Sequence, residues 1–272
     1  MKPIVDTAFY CCGARMQDAA QVHPICGDKY AKMFMCDYGQ RIYDKFEAET
    51  LSTTSVVLRH RIMDDVLRHM LSSDAHLCVI TIGAGFDSRP YRLKGGNWFE
   101  LDEPALIAYK NALLPTYQCA NPLHRIPVEF CTNGLEKELA GISSGHRDSG
   151  GGPVVVILEG VFIYLNETET QKLLDSLNRQ FPHLLLMCDL VKREMVRQYG
   201  QSLLAIVTKM GAPFQAVDEP ESIFFNHGYH VKEIISLMDE SVDLGLNMMP
   251  KAFWSTFFSD EVKGNAVYVW EK

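Results

Sequence analysis

Two glycines, followed at a fixed interval by an aspartate, are the first residues of this chain whose spacing suggests chemistry. They lie in "LCVITIGAGFDSRPYRL", where an apolar run breaks at Gly83 and Gly85 and polar residues follow. Asp102 closes the next apolar run, at the distance where an acid usually accepts hydrogen bonds from ribose hydroxyls. Ser88 replaces the third glycine of a dinucleotide fingerprint, so the spacing favours an adenosyl ligand over a pyrophosphate. A GxG pattern alone, however, often marks only a tight turn.

Two further charged groups are notable because of the segments in which they lie. Glu159 ends the apolar run "VVVILEG", where a carboxylate needs a partner to offset the cost of its burial. The segment "LRHRIMDD", residues 58–65, places Arg59 and Arg61 just before two aspartates. On a helix these charges could equally form i,i+3 and i,i+4 ion pairs on a solvated face. The spacing alone leaves both interpretations open.

The elements that must position these groups follow from the hydrophobic pattern. Residues 1–75 are helix-prone, and short apolar runs then alternate with helical patterns up to residue 272. Such alternation predicts parallel strands with right-handed crossovers, hence a doubly wound α/β sheet whose ligands bind beyond the carboxyl ends of the strands. We therefore predict a helical N-terminal extension over 1–75 and one compact sheet domain over 76–272. The predicted strands are 77–83, 97–102, 125–130, 154–160, 184–190 and a last one in "NAVYVWEK".

One segment is predicted to shape a substrate pocket. In "SIFFNHGYHVKEII", aromatic residues precede Gly228, which predicts a turn that leads into a helix. We expect the region 192–230, together with the N-terminal helices, to determine substrate specificity.

Composition excludes several classes of function. The formal net charge of −8 and the absence of a Lys/Arg cluster argue against a nucleic-acid partner. None of the eight cysteines forms a CxxC pair, so no zinc site is expected. The chain has no apolar run of about 18 residues and no signal-peptide core, which predicts a cytoplasmic protein without a membrane partner. A small-molecule partner is favoured, and the oligomeric state is left open.

Several segments together resemble one family, the leucine carboxyl methyltransferases and the related polyketide O-methyltransferases. The resemblance spans residues 7–165 and is carried by five segments: "TAFYCCGARMQDA", "LRHRIMDD", "IGAGFDSRPYRL", "FELDEP" and "LEGVFIYL". It implies the class I methyltransferase fold, a Rossmann-like, seven-stranded and mostly parallel sheet. It also implies S-adenosylmethionine (SAM) as cofactor, S-adenosylhomocysteine (SAH) as product, and no metal.

The resemblance also assigns roles to single residues. Arg59 would hold the SAM carboxylate, with Arg61 as the alternative, because a guanidinium pairs bidentately with a carboxylate. Gly83 would approach the methionine portion and Asp102 the ribose. The implied cofactor contacts are completed by Arg15, Ala84, Gly85, Asp87, Glu129, Phe130 and Glu159.

The implied reaction is methyl transfer to a carboxylate or hydroxyl oxygen of a small molecule, such as a secondary metabolite. No Ser-His-Asp or lysine constellation is evident, which agrees with catalysis by proximity. Tyr91 and Tyr164, just beyond the cofactor motifs, are candidates for positioning the acceptor.

Three rival functions stay open on the sequence. The chain could close SAM into azetidine-2-carboxylate and methylthioadenosine, which would need a small closed pocket. It could be a nicotinamide-dependent oxidoreductase, or a SAM-binding module without catalytic activity.

Overall fold

A seven-stranded sheet forms the centre of the molecule. The computed structural model describes residues 3–46, 48–130, 134–253 and 264–272. Within them the strands are β1 (Cys78–Ile82), β2 (Asn97–Asp102), β3 (Leu123–Pro127), β4 (Val154–Leu158), β5 (Leu184–Val191), β6 (His230–Ser236) and β7 (Asn265–Glu271). Their order is β3-β2-β1-β4-β5-β7-β6.

The first five strands are parallel, and β7 runs antiparallel between β5 and β6. In the central register Ile80 lies between Phe99 of β2 and Val156 of β4. Order reverses at β1, because the chain moves outward to β3 and then returns to β4 on the other side. The carboxyl ends of β1 and β4 therefore flank the crevice in which such sheets bind ligands.

Helices cover both faces of the sheet. They are α1 (Pro3–Ala19), α2 (Ala31–Phe34), α3 (Asp37–Tyr43), α4 (Thr50–Ser73), α5 (Arg89–Arg92), α6 (Pro104–Leu113), α7 (Gly134–Asp148), α8 (Glu167–Gln180), α9 (Arg193–Tyr199), α10 (Gln201–Lys209), α11 (Ser222–Asn226) and α12 (Leu237–Asp243). Short 3-10 turns occupy 44–46, 116–118 and 162–164. No helix in the described ranges combines the length and the apolar character that crossing a membrane requires.

Alternation along the strands divides the core between the two faces. Ile80 of β1 belongs to the cluster with Leu174 of α8, whereas its neighbour Val79 packs in the cluster of Leu67 from α4. A third cluster joins the N-terminal helices to α6 and α10, with Phe9 and Phe86 at its centre. The central strands β1 and β4 are thus buried on both sides, which explains why they read as continuous apolar runs.

The predicted fold class is confirmed, and two details differ from the expectation. The strand predicted over 125–130 is shifted, since β3 begins at Leu123 and ends at Pro127. The helix predicted after Gly228 was wrong: Gly228, with φ +78°, ends the turn, and the chain enters strand β6. The signal for β6 is weak, because five of its seven residues are exposed and its partner β7 lies some 30 residues downstream.

Candidate active site

The carboxyl ends of β1, β2, β4 and β5 open into one cavity of about 1400 Å³. It exceeds the range of roughly 300–1,000 Å³ that is usual for ligand pockets. Its other walls include residues of helices α1, α4, α6, α7, α8, α9, α10 and α12. The cavity therefore lies where the strand order reverses, with space for more than one small molecule.

The glycine turn after β1 brings the backbone to the cavity wall. Gly83 has φ +68°, and its amide donates to the Leu101 carbonyl oxygen at 2.9 Å. A Cβ at this position would lie 2.8 Å from Cγ2 of Val161, so only glycine fits. Gly85 also has a positive φ, +50°, and lines the cavity. The pattern read as a ligand turn is thus a place where a side chain is excluded by both conformation and space.

Asp102, the last residue of β2, closes this turn. Its Oδ2 accepts from the Gly85 amide at 2.6 Å and its Oδ1 from the Glu103 amide at 2.7 Å. A carboxylate has about four lone-pair sites, so the two amides leave acceptor capacity for the ribose hydroxyls of an adenosyl ligand. Burial raises the pKa of Asp102 to about 6, and the two amide donors oppose that shift. The carboxylate is therefore held in place before any ligand arrives.

A second polar centre lies at the ends of β4 and β5. Arg59 of α4 donates from Nε to Oε1 of Glu159 at 3.3 Å and from Nη1 to Oδ2 of Asp189 at 3.0 Å. Its Nη2 donates to the Cys11 sulfur at 3.5 Å, the hydrogen bond that this nitrogen makes within the described residues. Burial alone would lower the pKa of Arg59, but Asp189, Cys11 and Glu159 raise it, and the group stays charged. Two of its three nitrogens are thus held by protein carboxylates, and Nη2 remains for a ligand.

Glu159 is held from behind by buried groups that do not line the cavity. Its Oε2 accepts from Nη2 of Arg89 at 2.7 Å and lies 3.0 Å from Nδ1 of His60. Burial would raise the pKa of Glu159, but the His60 ring and the Arg89 and Arg59 guanidinium groups hold it well below its usual value. Arg89 is anchored in turn by Asp64 and Asp87, at 2.7 and 2.8 Å.

The model of the leucine carboxyl methyltransferase family matches residues 9–178, more than half of the chain. The chain belongs to the leucine carboxyl methyltransferase family.

Individual relatives agree with that membership. A Streptomyces coelicolor protein, provisionally assigned as an S-adenosyl-L-methionine-dependent methyltransferase, is 28% identical over 128 residues, covering 45% of this chain and 40% of its own length. A Mycobacterium tuberculosis protein with the same provisional assignment is 28% identical over 195 residues, covering 63% of this chain and 61% of its own. The chain thus spans well under half of the Streptomyces relative.

Solved structures agree on the fold. A DUF574 family protein from Streptomyces avermitilis has a TM-score of 0.61 at 13% identity, covering 96% of this chain and 97% of that one. A Thermobifida fusca protein, provisionally described as a methyltransferase, has the same TM-score at 12% identity, covering 95% and 94%. At such identities the likeness concerns the fold alone.

Most residues that the family resemblance selected do meet in the cavity of this leucine carboxyl methyltransferase family member. Its lining includes Arg15, Arg59, Gly83, Ala84, Gly85, Asp87, Asp102, Phe130, Glu159 and Tyr164. Arg15 is already bound, because its Nε pairs with Asp28 at 3.1 Å and its Nη2 donates to the Phe86 carbonyl oxygen. Its part in the site is to hold the turn that follows Gly85.

The structure does not bring Arg61, Glu129 and Tyr91 into the cavity. Arg61 lies about 200° around α4 from Arg59, where it pairs with Asp65 at 2.6 Å. For this residue the solvated ion-pair interpretation is the better description. Glu129 lies beyond the end of β3 and is exposed. The Tyr91 hydroxyl donates to the carbonyl oxygens of residues 114 and 115, so its ring is part of the packing.

Sequence reasoning missed Asp189, His60 and Cys11. Asp189 sits inside the apolar run "LLLMCDL", the same signal that selected Glu159, and its Oδ1 accepts from the Gly160 amide at 2.5 Å. His60 and Cys11 carried no signal, because only the folded chain places one behind Glu159 and the other beside Arg59.

One part of the remaining wall forms an uncharged chamber, whereas α8 brings Glu169, Lys172, Asp175 and Arg179 to another part of the cavity. The chamber is lined by residues of 51–58 in α4, by α9 and α10, and by 213–215; none of these described lining residues is charged. Val56, Val196, Leu203, Val207 and Phe214 make it largely apolar. In the described part of the chain, no cluster of His, Cys, Asp and Glu could hold a metal ion.

Proposed function

We propose that the chain is a SAM-dependent methyltransferase that acts on a carboxylate or hydroxyl oxygen of a small-molecule acceptor, such as a secondary metabolite. The observation that carries the proposal is that one cavity contains two adjoining parts of different character. Asp102 and the Arg59–Glu159 pair lie at the strand ends, and the uncharged chamber lies beside them.

The polar part fits the cofactor at two places. Asp102 offers acceptors for ribose hydroxyls, and Gly83 and Gly85 place the backbone of the turn at the cavity wall. Arg59 Nη2 offers a donor for a carboxylate. Glu159 Oε1 accepts from Nε of Arg59 and has a second lone pair, so it can also accept from an ammonium group. When bound, SAM would supply a methyl group on a positively charged sulfur, and an acceptor oxygen would attack the methyl carbon in line with the C–S bond, with SAH as the leaving group.

The chamber contributes orientation and exclusion of water rather than acid–base chemistry. Its lining offers no side chain that is basic at neutral pH, so a carboxylate acceptor, which is already ionised, needs no further group. Burial raises the pKa of Tyr164 to about 12, so its hydroxyl remains a hydrogen-bond donor. We assign Tyr164 to positioning the acceptor oxygen because, of the two predicted tyrosines, Tyr164 lines the cavity and Tyr91 does not. Correct placement alone can lower a barrier by about 7–11 kcal/mol in favourable cases.

The rival functions have less support. Closure of SAM into an azetidine was expected to need a small closed pocket, and the cavity of about 1400 Å³ is not small. Membership of a methyltransferase family also disfavours the nicotinamide-dependent alternative.

The proposal is tested first by calorimetric titration with SAH. We expect binding to the wild-type protein, and about 1.5–3 kcal/mol weaker binding to Asp102→Ala, because charge-assisted hydrogen bonds are lost. Wild-type protein that does not bind SAH would contradict the proposal.

Turnover then separates an enzyme from a silent module. We expect transfer of labelled methyl from SAM to members of a panel of apolar carboxylic acids and phenols. The control contains SAM without acceptor. Methylthioadenosine in that control would indicate cyclisation, and SAH binding without any turnover would indicate a module that only binds.

A further inference from the structure

His60 occupies a position that no cofactor motif explains. Its side chain is fully buried in α4, directly after Arg59, and it does not line the cavity. Nevertheless both ring nitrogens lie within hydrogen-bond distance of charged groups. Nδ1 is 3.0 Å from Glu159 Oε2, and Nε2 is 2.7 Å from Arg92 Nη2.

The donors around the ring determine its protonation. Arg92 can only donate, so Nε2 must accept; Glu159 is ionised and can only accept, so Nδ1 must carry the proton. The opposite tautomer would set donor against donor at Nε2 and acceptor against acceptor at Nδ1. A charged imidazolium would set its Nε2–H against Arg92 and lie beside Arg89 as well. Nη2 of Arg89 also lies 2.9 Å from Nδ1, but its two hydrogens have acceptors in Glu159 Oε2 at 2.7 Å and the His60 carbonyl oxygen at 3.2 Å. The neutral Nδ1–H form therefore satisfies the contacts at both ring nitrogens.

The Glu159 carboxylate then has a divided role. Oε2 receives the buried donors, Nη2 of Arg89 at 2.7 Å and Nδ1 of His60. Oε1 receives Nε of Arg59 at 3.3 Å. Because Oε2 is fixed from behind, Oε1 and the Arg59 guanidinium are held at the cavity wall. Arg59 is further aligned by Asp189.

We propose that His60 is a positioning residue for the amino-acid end of the cofactor: its neutral ring donates Nδ1–H to Glu159 and thereby orients Glu159 and Arg59 toward the ligand. This inference rests on the proposed SAM site. It concerns only the end of the ligand that carries the carboxylate and ammonium groups, because Asp102 is held by the amides of Gly85 and Glu103 rather than by His60.

Two ligands distinguish contacts to the amino-acid end of the cofactor from contacts to its adenosine and sulfur. SAH and methylthioadenosine share the adenosine and the sulfur, but methylthioadenosine lacks the amino-acid portion. A pair of variants separates the two ring nitrogens: the amide of His60→Asn can replace the Nδ1–H donor, whereas the amide of His60→Gln reaches the Nε2 position and leaves Glu159 without this donor.

The test is calorimetric titration of wild type and both variants with SAH and with methylthioadenosine. We expect His60→Gln to weaken SAH binding about tenfold or more, with methylthioadenosine binding unchanged. We expect His60→Asn to retain most of the SAH affinity. Equal weakening of both ligands, or no weakening of SAH in His60→Gln, would overturn the inference. Wild-type protein that binds neither ligand would instead refute the proposed SAM site.

A second measurement needs no folded variant. In wild-type protein labelled with ¹⁵N-histidine, we expect the one buried ring of this cluster to show a neutral Nδ1–H tautomer at pH 7. Its Nδ1 proton should shift when SAH binds and respond less to methylthioadenosine. An Nε2–H or doubly protonated ring would overturn the inference.

Discussion

Buried charges in this protein are organised around a few carboxylates. Glu159 needed a partner on grounds of burial alone, and the structure provides three: Arg59, His60 and Arg89. These come from α4 and α5, far apart in sequence from β4. Removing one member of such a buried set costs about 3–5 kcal/mol, because the other charges are left uncompensated.

At the residue scale, the pKa of Asp102 predicts how SAH binding depends on pH. Burial raises that pKa to about 6, and the ionised form is the one that accepts two ribose hydroxyls. As the pH falls below about 6, ligand binding must first displace a proton, so affinity should decrease by roughly tenfold between pH 7.5 and 5. Calorimetry across this range measures the effect.

The control is Asp102→Asn, which cannot titrate and should bind SAH weakly with little dependence on pH. The same slope in this variant would assign the titration to another group. The effect of pH on folding stability has the opposite sign to its effect on SAH binding. Because the folded carboxyl holds its proton more tightly than an unfolded one of pKa 3.8, this group stabilises the ligand-free protein at low pH, and that stability is lost as the pH rises through about 6.

At the scale of elements, α4 distributes its charges by helical geometry. His60 and Asp64 are four residues apart, share one face and are both fully buried. Arg61 and Asp65 repeat the same spacing one residue later and form a partly exposed pair. The ion-pair interpretation of "LRHRIMDD" therefore describes Arg61 and Asp65. Arg59 lies on a face that reaches the cavity, and its role as a ligand contact stays a prediction.

The glycine turn yields a prediction with a matched control. Gly83 and Gly151 both have φ +68°, but a Cβ on Gly83 would meet Val161, whereas one on Gly151 would meet nothing within 4 Å. Gly151→Ala should thus cost only the left-handed strain, about 1–2 kcal/mol. Gly83→Ala should cost about 1–3 kcal/mol more through overpacking and should also weaken SAH binding.

Urea unfolding of the two variants, followed by SAH titration, measures both effects. Equal destabilisation of Gly83→Ala and Gly151→Ala, with unchanged SAH affinity, would mean that the Val161 side chain can move away at little cost and that the turn is not a ligand contact.

At the scale of the whole molecule, the uncharged chamber is assembled from distant segments. Residues 51–58, α9, α10 and 213–215 meet only because the N-terminal helices pack against α10 in one core cluster. The residues of these segments that line the chamber are all uncharged, and this is visible only when the lining is known. An acceptor bound there should be held mainly through apolar contact, worth about 25 cal/mol per Å² of buried surface.

Adjacent leucines on α10 test the chamber. Leu203 lines it and Leu204 does not, although both are half-buried. Leu203→Glu should reduce kcat/KM for an apolar acceptor by at least about tenfold, because a carboxylate in the chamber must be desolvated. SAH affinity should stay unchanged. Leu204→Glu is the control, and steady-state kinetics with the best acceptor of the panel gives the comparison. A similar loss in both variants would place the acceptor elsewhere.

The sequence by itself determined the sheet, the glycine turn and Asp102. These depend on local patterns: apolar runs set the parallel strands, and a short interval joins the turn to the acid at the next strand end. The importance of Glu159 was also predictable, since a carboxylate at the end of an apolar strand needs a partner to offset the cost of its burial. Strand β6 was not, because most of its residues are exposed and its pairing partner is distant in the chain.

Only the tertiary structure decided which arginine reaches the cavity, which groups support Glu159 and where the uncharged chamber lies. Arg59 and Arg61 are alike in sequence, and the direction in which α4 packs separates them. His60 gains its contacts from residues 32 and 99 positions away. Such long-range contacts form when apolar segments from different parts of the chain pack together. The spacing of residues along the sequence does not show which polar groups this packing brings into contact.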